Sequence, residues 1–460
     1  MVYRMYAPVA VKDYQKTAAL LHFYKKIYAI IGAVIFGLGL CVIPFMDYII
    51  KDKPDVSGLT LYYILFLINT TISYWFASYK ASVLYADQKE YIKTNAQNAT
   101  AILQSVLQIV LLLIFRKYLL YLLVQLAGNI FLNLYVAHLV DKRYPEIQTY
   151  QGASLSAEER VQIRKDTEAL VLSRFGHVAL NGTDNIIISA VVGVLWVGRL
   201  SNYTLICDSV TSVLCQITAA ITGSLGNFFA TEEKRAGYAL FQRVEFLNFW
   251  FYGFSFIALV LLLDPFVQLW AGSRFVLGLP VSLAIAINFF VAGYMNTLWV
   301  FRSTLGLFKQ GKFRPILVAA VNIVLSIVLG KYWGVFGVLI ATFLSRASIS
   351  LWYDPLILHK YGFGVSSKPF FVRYAKRIIL LAVVLVIMLS IRKAVLFAGT
   401  TIPKFLLMMV ITAIIPNTVF WLVYHHSDEY TYFQSIIKDR VLAPIQRKLH
   451  KCSTTSTPDR

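Results

Sequence analysis

The sequence predicts an all-α membrane protein with about 12 transmembrane helices, in two pseudo-repeated bundles followed by a final helix pair. Composition is the first indication: 58% of the 460 residues are hydrophobic and 14% are charged, and the mean hydropathy is +0.65. A soluble domain carries roughly 25% charged residues. The other two indications are the recurrence of apolar stretches of bilayer length and an internal repeat that relates the two halves.

Twelve apolar stretches have the length needed to cross a bilayer, about 17–25 residues. The boundary near Arg116 and Lys117 is the hardest to place, because two helices would meet there in a very short turn. The predicted spans are 28–50, 59–84, 97–115, 118–140, 175–197, 203–228, 245–270, 279–305, 314–330, 333–352, 377–398 and 405–424.

The internal repeat has an offset of 221 to 222 residues, and many transporters are built from two such halves. The second-half spans 175–197 and 203–228 have no counterpart, since the offset would place them before the first residue. The first bundle is therefore predicted to be short of two N-terminal helices, natively, through truncation or through a start further upstream. The matched segments are Ile43-Pro44-Phe45 with Asp264-Pro265-Phe266, Tyr79-Lys80 with Phe301-Arg302, and Asp87-Gln88-Lys89 with Lys309-Gln310-Gly311.

The basic residues predict the orientation, because cytoplasmic loops carry the excess of Lys and Arg. With a cytoplasmic N-terminus, 30 of the 43 basic residues lie on the cytoplasmic side and 10 on the opposite side, while Lys80, Arg302 and Arg346 lie inside helices. Both termini are therefore predicted to be cytoplasmic. This asymmetry explains the net charge of +20, which does not indicate nucleic-acid binding.

The longest predicted connection lies between the fourth and fifth spans and is interpreted as a cytoplasmic linker. Within it, Ser156 and Glu159 have the spacing of a capping box, which predicts the start of an amphipathic helix. The predicted domains are an incomplete N-terminal bundle at 1–140, the linker at 141–174, a six-helix bundle at 175–352, an additional helix pair at 353–424 and a cytoplasmic tail at 425–460.

Polar residues inside the fifth and sixth spans are the strongest functional signal, because a charge at mid-bilayer costs about 2.5–3.5 kcal/mol on insertion-based scales. Asn181, Asp184 and Asn185 share a helical face of the fifth span, and Asp208 lies on a polar stripe of the sixth. Two adjacent polar stripes predict a hydrated cavity. The alternatives are structural: Asp184 would pair with a basic residue, and hydroxyl side chains such as Thr211 would bond to their own backbone.

Signals for an enzyme or a metal site are scarce. The sequence has no phosphate-binding glycine loop, nucleophile elbow or metal-ligand cluster, and the spacing of its four cysteines is not that of a metal or redox site. Asp141 and Asp354 are interpreted as isolated, solvated loop carboxylates. Glu245 and Asp264 are interpreted as residues near the membrane faces. No cofactor, no metal and no enzymatic activity are predicted.

The polar run in the fifth span also carries a family resemblance. It is similar to the polysaccharide repeat-unit flippases of the multidrug/oligosaccharidyl-lipid/polysaccharide exporter superfamily. Members usually have fourteen helices, which agrees with the missing pair in the first bundle. The matching segments are Phe175-Gly176-His177, Asn181 to Ser189, Ser201-Asn202-Tyr203, Gly223 to Asn227, Tyr79-Lys80 and Ala86-Asp87-Gln88-Lys89.

The resemblance implies that the protein translocates undecaprenyl-pyrophosphate-linked oligosaccharide repeat units across the bacterial cytoplasmic membrane by alternating access. The product would enter capsule, O-antigen or exopolysaccharide synthesis. A polysaccharide polymerase and assembly proteins are the implied partners, and the protein is expected to be a monomer.

The resemblance also assigns roles to individual residues. Basic side chains bind phosphate oxygens, and the expected pyrophosphate contacts are Lys80, Arg302 and Arg346. Amides suit sugar hydroxyls and an aromatic ring suits the sugar face, so the expected sugar contacts are Asn181, Asn185, Asn202 and Tyr203. A coupling proton or sodium ion is expected at Asp184 or Asp208.

Three other functions stay open. A cation-coupled multidrug exporter of the same superfamily would share the repeat, but the intramembrane basic residues disfavour it. A polysaccharide polymerase would carry a large external loop, whereas the longest predicted connection is internal. An inactive truncated remnant is compatible with the missing helices.

Overall fold

The protein is described by a computed structural model that covers residues 2–51, 58–76, 78–150, 153–161, 163, 182–231, 234–307, 313–396 and 399–437. Every regular element in these ranges is helical. The main helices are α1 (Tyr14–Val42), α2 (Leu59–Trp75), α3 (Ala81–Ala86), α4 (Glu90–Phe115), α5 (Tyr118–Arg143), α6 (Gly182–Val192), α7 (Val194–Thr231), α8 (Lys234–Trp270), α9 (Leu279–Thr304), α10 (Arg314–Ile357), α11 (Lys368–Val395), α12 (Ile402–Tyr424) and α13 (Asp428–Ile437).

Shorter turns connect or extend the main helices. The 3₁₀ turns are Val2–Met5, Ile43–Phe45, Ser78–Lys80 and Ser273–Phe275, and π turns end α6 at Ile188–Val192 and follow α10 at Leu358–Phe363. The short α-helical segments are Tyr6–Ala10, Met46–Ile49 and Pro145–Thr149.

Among the described residues, eight helices are long and apolar enough to cross a membrane, and a ninth span results if α2 and the bent segment Ser78–Ala86 are counted together. One of the eight, Arg314–Phe363, has 50 residues. At 1.5 Å per residue it would extend over about 75 Å, more than twice the ~30 Å hydrocarbon core. Gly334 interrupts it with φ 59° and ψ −139°, so two predicted spans, 314–330 and 333–352, lie within this one run. The predicted all-α, multi-pass membrane fold is confirmed.

Two local predictions are confirmed in the N-terminal part of the chain. α4 and α5 meet in a two-residue turn in which Arg116 closes α4 in the left-handed conformation, with φ 51°. The capping box is also present, because the hydroxyl of Ser156 accepts from the Glu159 N–H at 3.1 Å. The Glu159 carboxylate accepts from the Ser156 N–H at 3.2 Å in return.

One predicted boundary is wrong. The spans 175–197 and 203–228 implied a loop around Arg199, but α7 continues through this position from Val194 to Thr231. The break lies at Gly193, whose φ of 132° is readily adopted by glycine alone. Because the preceding turn is π-helical, the backbone is irregular next to the polar residues of α6, and π turns in helices often mark functional sites.

The chain divides into two compact units, Met1–Arg174 and Phe175–Arg460. In the N-terminal unit, α1 packs on α2, α2 on α5, and α4 on α5, around buried residues such as Tyr24, Leu84 and Val136. In the C-terminal unit, α8 packs against α9 and α12, and α9 against α10. Phe249 and Phe420 join α8 to α12 in a core of interlocked aromatic rings.

The two units share an order of elements. Each unit begins this order with a helix that is followed by a proline (α1) or contains one (α8). A helix that ends near a basic residue comes next (α2, α9). Two further helices follow, which are α4 and α5 in the N-terminal unit and the two parts of α10 in the C-terminal unit. The C-terminal unit adds α6 and α7 before this set and α11 and α12 after it. Within the described residues, the N-terminal unit has no span-length helix before α1.

Two ion pairs connect α11 to α8, one in the first half of each helix and one towards the end of each. In the first, Arg377 donates to the carboxylate of Glu245, and both side chains are almost completely buried. Arg392 lies 3.8 Å from Asp264 near the end of α8. The extra helices are therefore joined to the C-terminal unit by side-chain bonds as well as apolar packing.

Candidate functional site

α7 presents a polar, exposed face. Its members recur every three or four residues, so they share one side of the helix. Lipid-facing positions are apolar because the hydrocarbon cannot solvate polar groups. A face of this composition therefore fits water better than lipid. The exposed polar residues are Ser201, Thr204, Asp208, Ser209, Ser212 and Gln216.

A cluster of oxygen-bearing side chains lies between α6 and α10. The hydroxyl of Thr342 lies 2.8 Å from Oδ2 of Asp184 and accepts from Asn322 at 3.0 Å. Nδ2 of Asn322 is also 3.4 Å from the hydroxyl of Ser326. Two buried oxygens, Oδ1 of Asp184 and Oδ1 of Asn322, make no hydrogen bond within the described part of the chain. The cluster has one carboxylate and spare acceptor capacity.

Arg346 lies on α10 one turn after Thr342. Its guanidinium is half-buried, lies 3.5 Å from the backbone oxygen of Asn288, and interacts electrostatically with Asp184. The structure thus brings together two residues that the sequence could place only on separate helices. Arg346 supplies a positive charge next to the cluster's single negative one.

The remaining predicted polar contacts differ in accessibility. Asn185 and Asp208 are exposed, and Asn202 is half-buried on α7. Thr211 donates to the backbone oxygen of Cys207 at 2.8 Å, so this hydroxyl is satisfied by its own helix, as the structural alternative predicted. Asn181 lies outside the described residues.

Tyr203 has a structural position rather than a ligand-facing one. Its side chain is 0% exposed, its hydroxyl donates to Asp264 at 2.7 Å, and it accepts from the backbone N–H of Leu277 at 2.9 Å. Ser282 also donates to Asp264, at 2.7 Å. Stacking on a sugar requires an open ring face, which Tyr203 does not offer here, so we leave it out of the proposed contacts.

The interpretation of Asp141 and Asp354 as isolated, solvated carboxylates is wrong. Nζ of Lys80 lies 2.5 Å and 2.6 Å from the two carboxylate oxygens of Asp141, at the end of α5. Arg302 and Arg314 both contact the carboxylate of Asp354, which is 4% exposed. Each acid lies on a helix rather than in a loop, and its partner is too distant in sequence to be recognised from the acid alone.

The two pairs have similar places in the two units, although the acids are 213 residues apart rather than 221 to 222. Lys80 and Arg302 are related by the repeat offset, and each pairs with the acid near the end of the last helix of its repeat set. The internal repeat identified Lys80 and Arg302 as matched positions, but it did not identify Asp141 and Asp354 as their partners. A search for acids at matching helix ends would have found them.

Glu245 belongs to a buried ion pair that the sequence did not predict. It is 2% exposed and accepts from Arg377 and from the hydroxyl of Tyr294. An acid inside an apolar stretch was the available signal, and its partner was hidden because it lies on another helix far along the chain.

Within the described residues, no three or more His, Cys, Asp or Glu side chains come together as a metal-binding group. The Asp184 cluster offers one carboxylate and neutral oxygens from Asn322, Ser326 and Thr342. A proton or a monovalent cation bound there would compete with Arg346 for the single carboxylate.

Comparison with solved structures finds a similar fold in a protein described as the lipid II flippase MurJ in its inward closed conformation. The similarity has a TM-score of 0.58 at 16% sequence identity, and it covers 92% of this chain and 88% of that chain. No family model matches the sequence, and no curated protein matches it either. At this identity the likeness concerns the fold.

Proposed function

We propose that this protein moves a lipid-linked, phosphate-bearing saccharide across the membrane by alternating access, and that the substrate is an undecaprenyl-pyrophosphate-linked oligosaccharide repeat unit. The observation that carries the proposal is the fold, which over 92% of the chain resembles that of a lipid II flippase. The exposed polar face of α7 supports it, because a hydrated headgroup needs a polar path through about 30 Å of hydrocarbon.

The charged residues favour an anionic headgroup over a cationic drug. Three basic residues within the helices, Lys80, Arg302 and Arg346, are the proposed pyrophosphate contacts. Arg302 and Arg314 share one carboxylate, so that group keeps one net positive charge. At each position a phosphate has to compete with a neighbouring carboxylate. Asn185 and Asn202 are the proposed sugar contacts among the described residues.

We further propose that Asp184 binds the coupling ion. Asp208 is the weaker of the two predicted candidates, because it is exposed and no cluster of oxygen-bearing side chains like that at Asp184 surrounds it among the described residues. Asp184 has a hydroxyl partner in Thr342, a neighbouring amide in Asn322 and a buried oxygen with spare capacity. In transporters, carboxylates and broken-helix ends serve as Na⁺ or H⁺ sites.

Depletion of the protein tests the transport proposal. We expect oligosaccharide-lipid to accumulate on the cytoplasmic leaflet and surface polysaccharide to be lost, as measured by leaflet-selective labelling. Lipid II should be assayed in the same cells, since its accumulation would identify a different lipid-linked substrate. Arg346→Ala should fail to restore export, whereas the exposed Lys393→Ala should restore it. Unchanged leaflet distributions of both lipids would contradict the proposal and favour a drug exporter or an inactive remnant.

The ion proposal is tested by thermal unfolding of the purified protein in detergent. A ligand at ten times its Kd stabilises a folded protein by roughly 1.4 kcal/mol, so NaCl should raise the Tm relative to choline chloride. Asp184→Asn should remove the increase, and Asp208→Asn should retain it. A pH-dependent increase that Asp184→Asn removes, with no sodium dependence, would identify a proton. An increase that survives in Asp184→Asn would contradict the assignment.

A further inference from the structure

A cavity in the N-terminal unit lies between α3, the start of α4 and the end of α5. It has a volume of about 340 Å³ and is lined by Leu84, Ile92, Leu139, Lys142 and Arg143. Leu84 is one helical turn beyond Lys80, and the two basic residues directly follow Asp141. Both basic side chains are exposed, whereas Leu84 is buried and the other two apolar residues are half-buried. The cavity therefore has an apolar floor and a cationic rim.

The repeat shows that this rim is particular to one unit. The matched acids Asp141 and Asp354 have similar places at the ends of their helices, but different residues follow them. Lys142-Arg143 follow in the N-terminal unit and Pro355-Leu356 in the C-terminal unit. An ion pair of this kind is thus present in both units. Two adjacent cations directly follow the acid in the N-terminal unit, whereas the second cation at Asp354 is Arg314.

We propose that this cavity binds the phosphate group of an anionic amphiphile, with Lys142 and Arg143 on the phosphate oxygens and Leu84, Ile92 and Leu139 against the attached apolar chain. Basic side chains bind phosphate oxygens through charge-assisted hydrogen bonds. Anionic phospholipid and polyprenyl pyrophosphate share this chemistry. In the predicted orientation the site opens to the cytoplasmic leaflet, where anionic lipids attract basic residues. The inference does not require transport activity.

Cations in the last turn of a helix are also favoured by the helix dipole, whatever they bind. Removing these cations would therefore lower the stability of the protein whether or not they bind a ligand, so the proposal is tested by measuring ligand affinity. α5 provides a matched control, because Arg116-Lys117 precede it at one end and Lys142-Arg143 end it at the other. Both pairs consist of one arginine and one lysine, and only the second pair lines the cavity.

The experiment measures binding by the purified full chain in a nonionic detergent. The probes are phosphatidylglycerol, undecaprenyl pyrophosphate, inorganic pyrophosphate and phosphatidylcholine, each titrated and followed by native mass spectrometry. A basic residue near an anionic lipid strengthens binding about fivefold, so Lys142→Gln/Arg143→Gln should weaken binding of the two anionic lipids roughly 25-fold. Arg116→Gln/Lys117→Gln should leave it unchanged, and a cooperative thermal transition above the titration temperature should show that both variants are folded.

The outcomes separate the sources of the phosphate. Tighter binding of undecaprenyl pyrophosphate than of phosphatidylglycerol would support substrate capture, and the reverse order would support bulk anionic lipid. If the two double variants weakened lipid binding equally, the effect would come from general charge and the proposal would be overturned. Unchanged lipid binding in both variants would overturn it as well. Inorganic pyrophosphate binding as tightly as both lipids would overturn the role of the apolar floor. Loss of leaflet transport would not bear on these affinities, so the two proposals fail separately.

Discussion

The two units repeat one ion pair but differ in how deeply their charged links are buried. Both units link helices through neutral amides. In the N-terminal unit Asn129 donates to Asn69 at 2.7 Å, and Gln104 donates to the backbone oxygen of Gln125 at 2.9 Å. In the C-terminal unit Asn248 donates to the backbone oxygen of Gly293 at 3.1 Å, and almost completely buried charged links are present as well, as in the pair of Glu245 and Arg377.

The difference has an energetic meaning. A neutral amide that bonds to another helix contributes about 0.6–1.7 kcal/mol in a membrane. A buried charge costs several kcal/mol to desolvate and is tolerated only when it is paired. The N-terminal unit therefore uses polar groups for packing at low cost. The C-terminal unit maintains costly charges, and it is also the unit that holds the Asp184 cluster and Arg346.

The largest expected effect comes from breaking a buried pair of the C-terminal unit. Arg377→Met leaves Glu245 buried without its cation and should destabilise the protein by about 3–5 kcal/mol. Glu245→Gln/Arg377→Met removes both charges and should recover most of that loss. Chemical unfolding in detergent measures both, with the exposed neighbour Lys376→Met as the control. If the double variant were no more stable than Arg377→Met, the charge-pair account of this link would be wrong.

The matched ion pairs give the next largest effect and compare the two units directly. The side chains of Arg302 and Asp354 are 4% and 6% exposed, whereas those of Lys80 and Asp141 are 23% and 31% exposed. Asp354→Asn leaves Arg302 and Arg314 buried without their shared carboxylate and should therefore cost about 3 kcal/mol or more, whereas Asp141→Asn should cost about 1 kcal/mol or less. Equal losses in the two variants would show that exposure does not govern the strength of this repeated pair.

Sequence reasoning reached the features that depend on local pattern. Apolar length gave the spans, the Ser156–Glu159 spacing gave the capping box, and the repeat gave Lys80 and Arg302 as matched positions. It failed where the answer depends on distant partners. Nothing near Asp354 or Glu245 in the chain identifies Arg302 or Arg377 as the partner, because helix packing alone brings them together.

The same limit applies to the candidate site. The polar spacing of α6 and α7 singled out Asp184 and Asp208 equally, since both are carboxylates within apolar stretches. Only the packing of α10 separates them, because it places Thr342, Asn322 and Arg346 beside Asp184. The family resemblance suggested Tyr203 as a sugar contact, whereas packing buries its side chain and directs its hydroxyl to Asp264.

The smallest expected effect concerns Asp87, at the turn between α3 and α4. Burial opposes its ionisation, but hydrogen bonds from Lys89 at 2.5 Å and from Tyr144 outweigh burial, so its pKa lies below the usual value. Because the folded-state pKa is lowered, the stabilisation is present above the unfolded pKa of about 4 and is lost as the pH falls through the folded value. Burial and the bond to Asp87 raise the pKa of Tyr144, which therefore stays a donor at neutral pH.

Asp87→Asn tests this link. The wild-type Tm should fall as the pH is lowered from 6 towards about 3.5, and the variant should fall less steeply because it carries no carboxylate to protonate at this position. Glu158→Gln, which removes an exposed acid elsewhere in the same unit, serves as the control and should retain the wild-type slope. Since the side chains of Asp87 and Lys89 are 30% and 32% exposed, the change should be small. A slope in Asp87→Asn identical to wild type would mean that the short bonds around Asp87 hold the turn by packing alone, as the neutral amides of the same unit do.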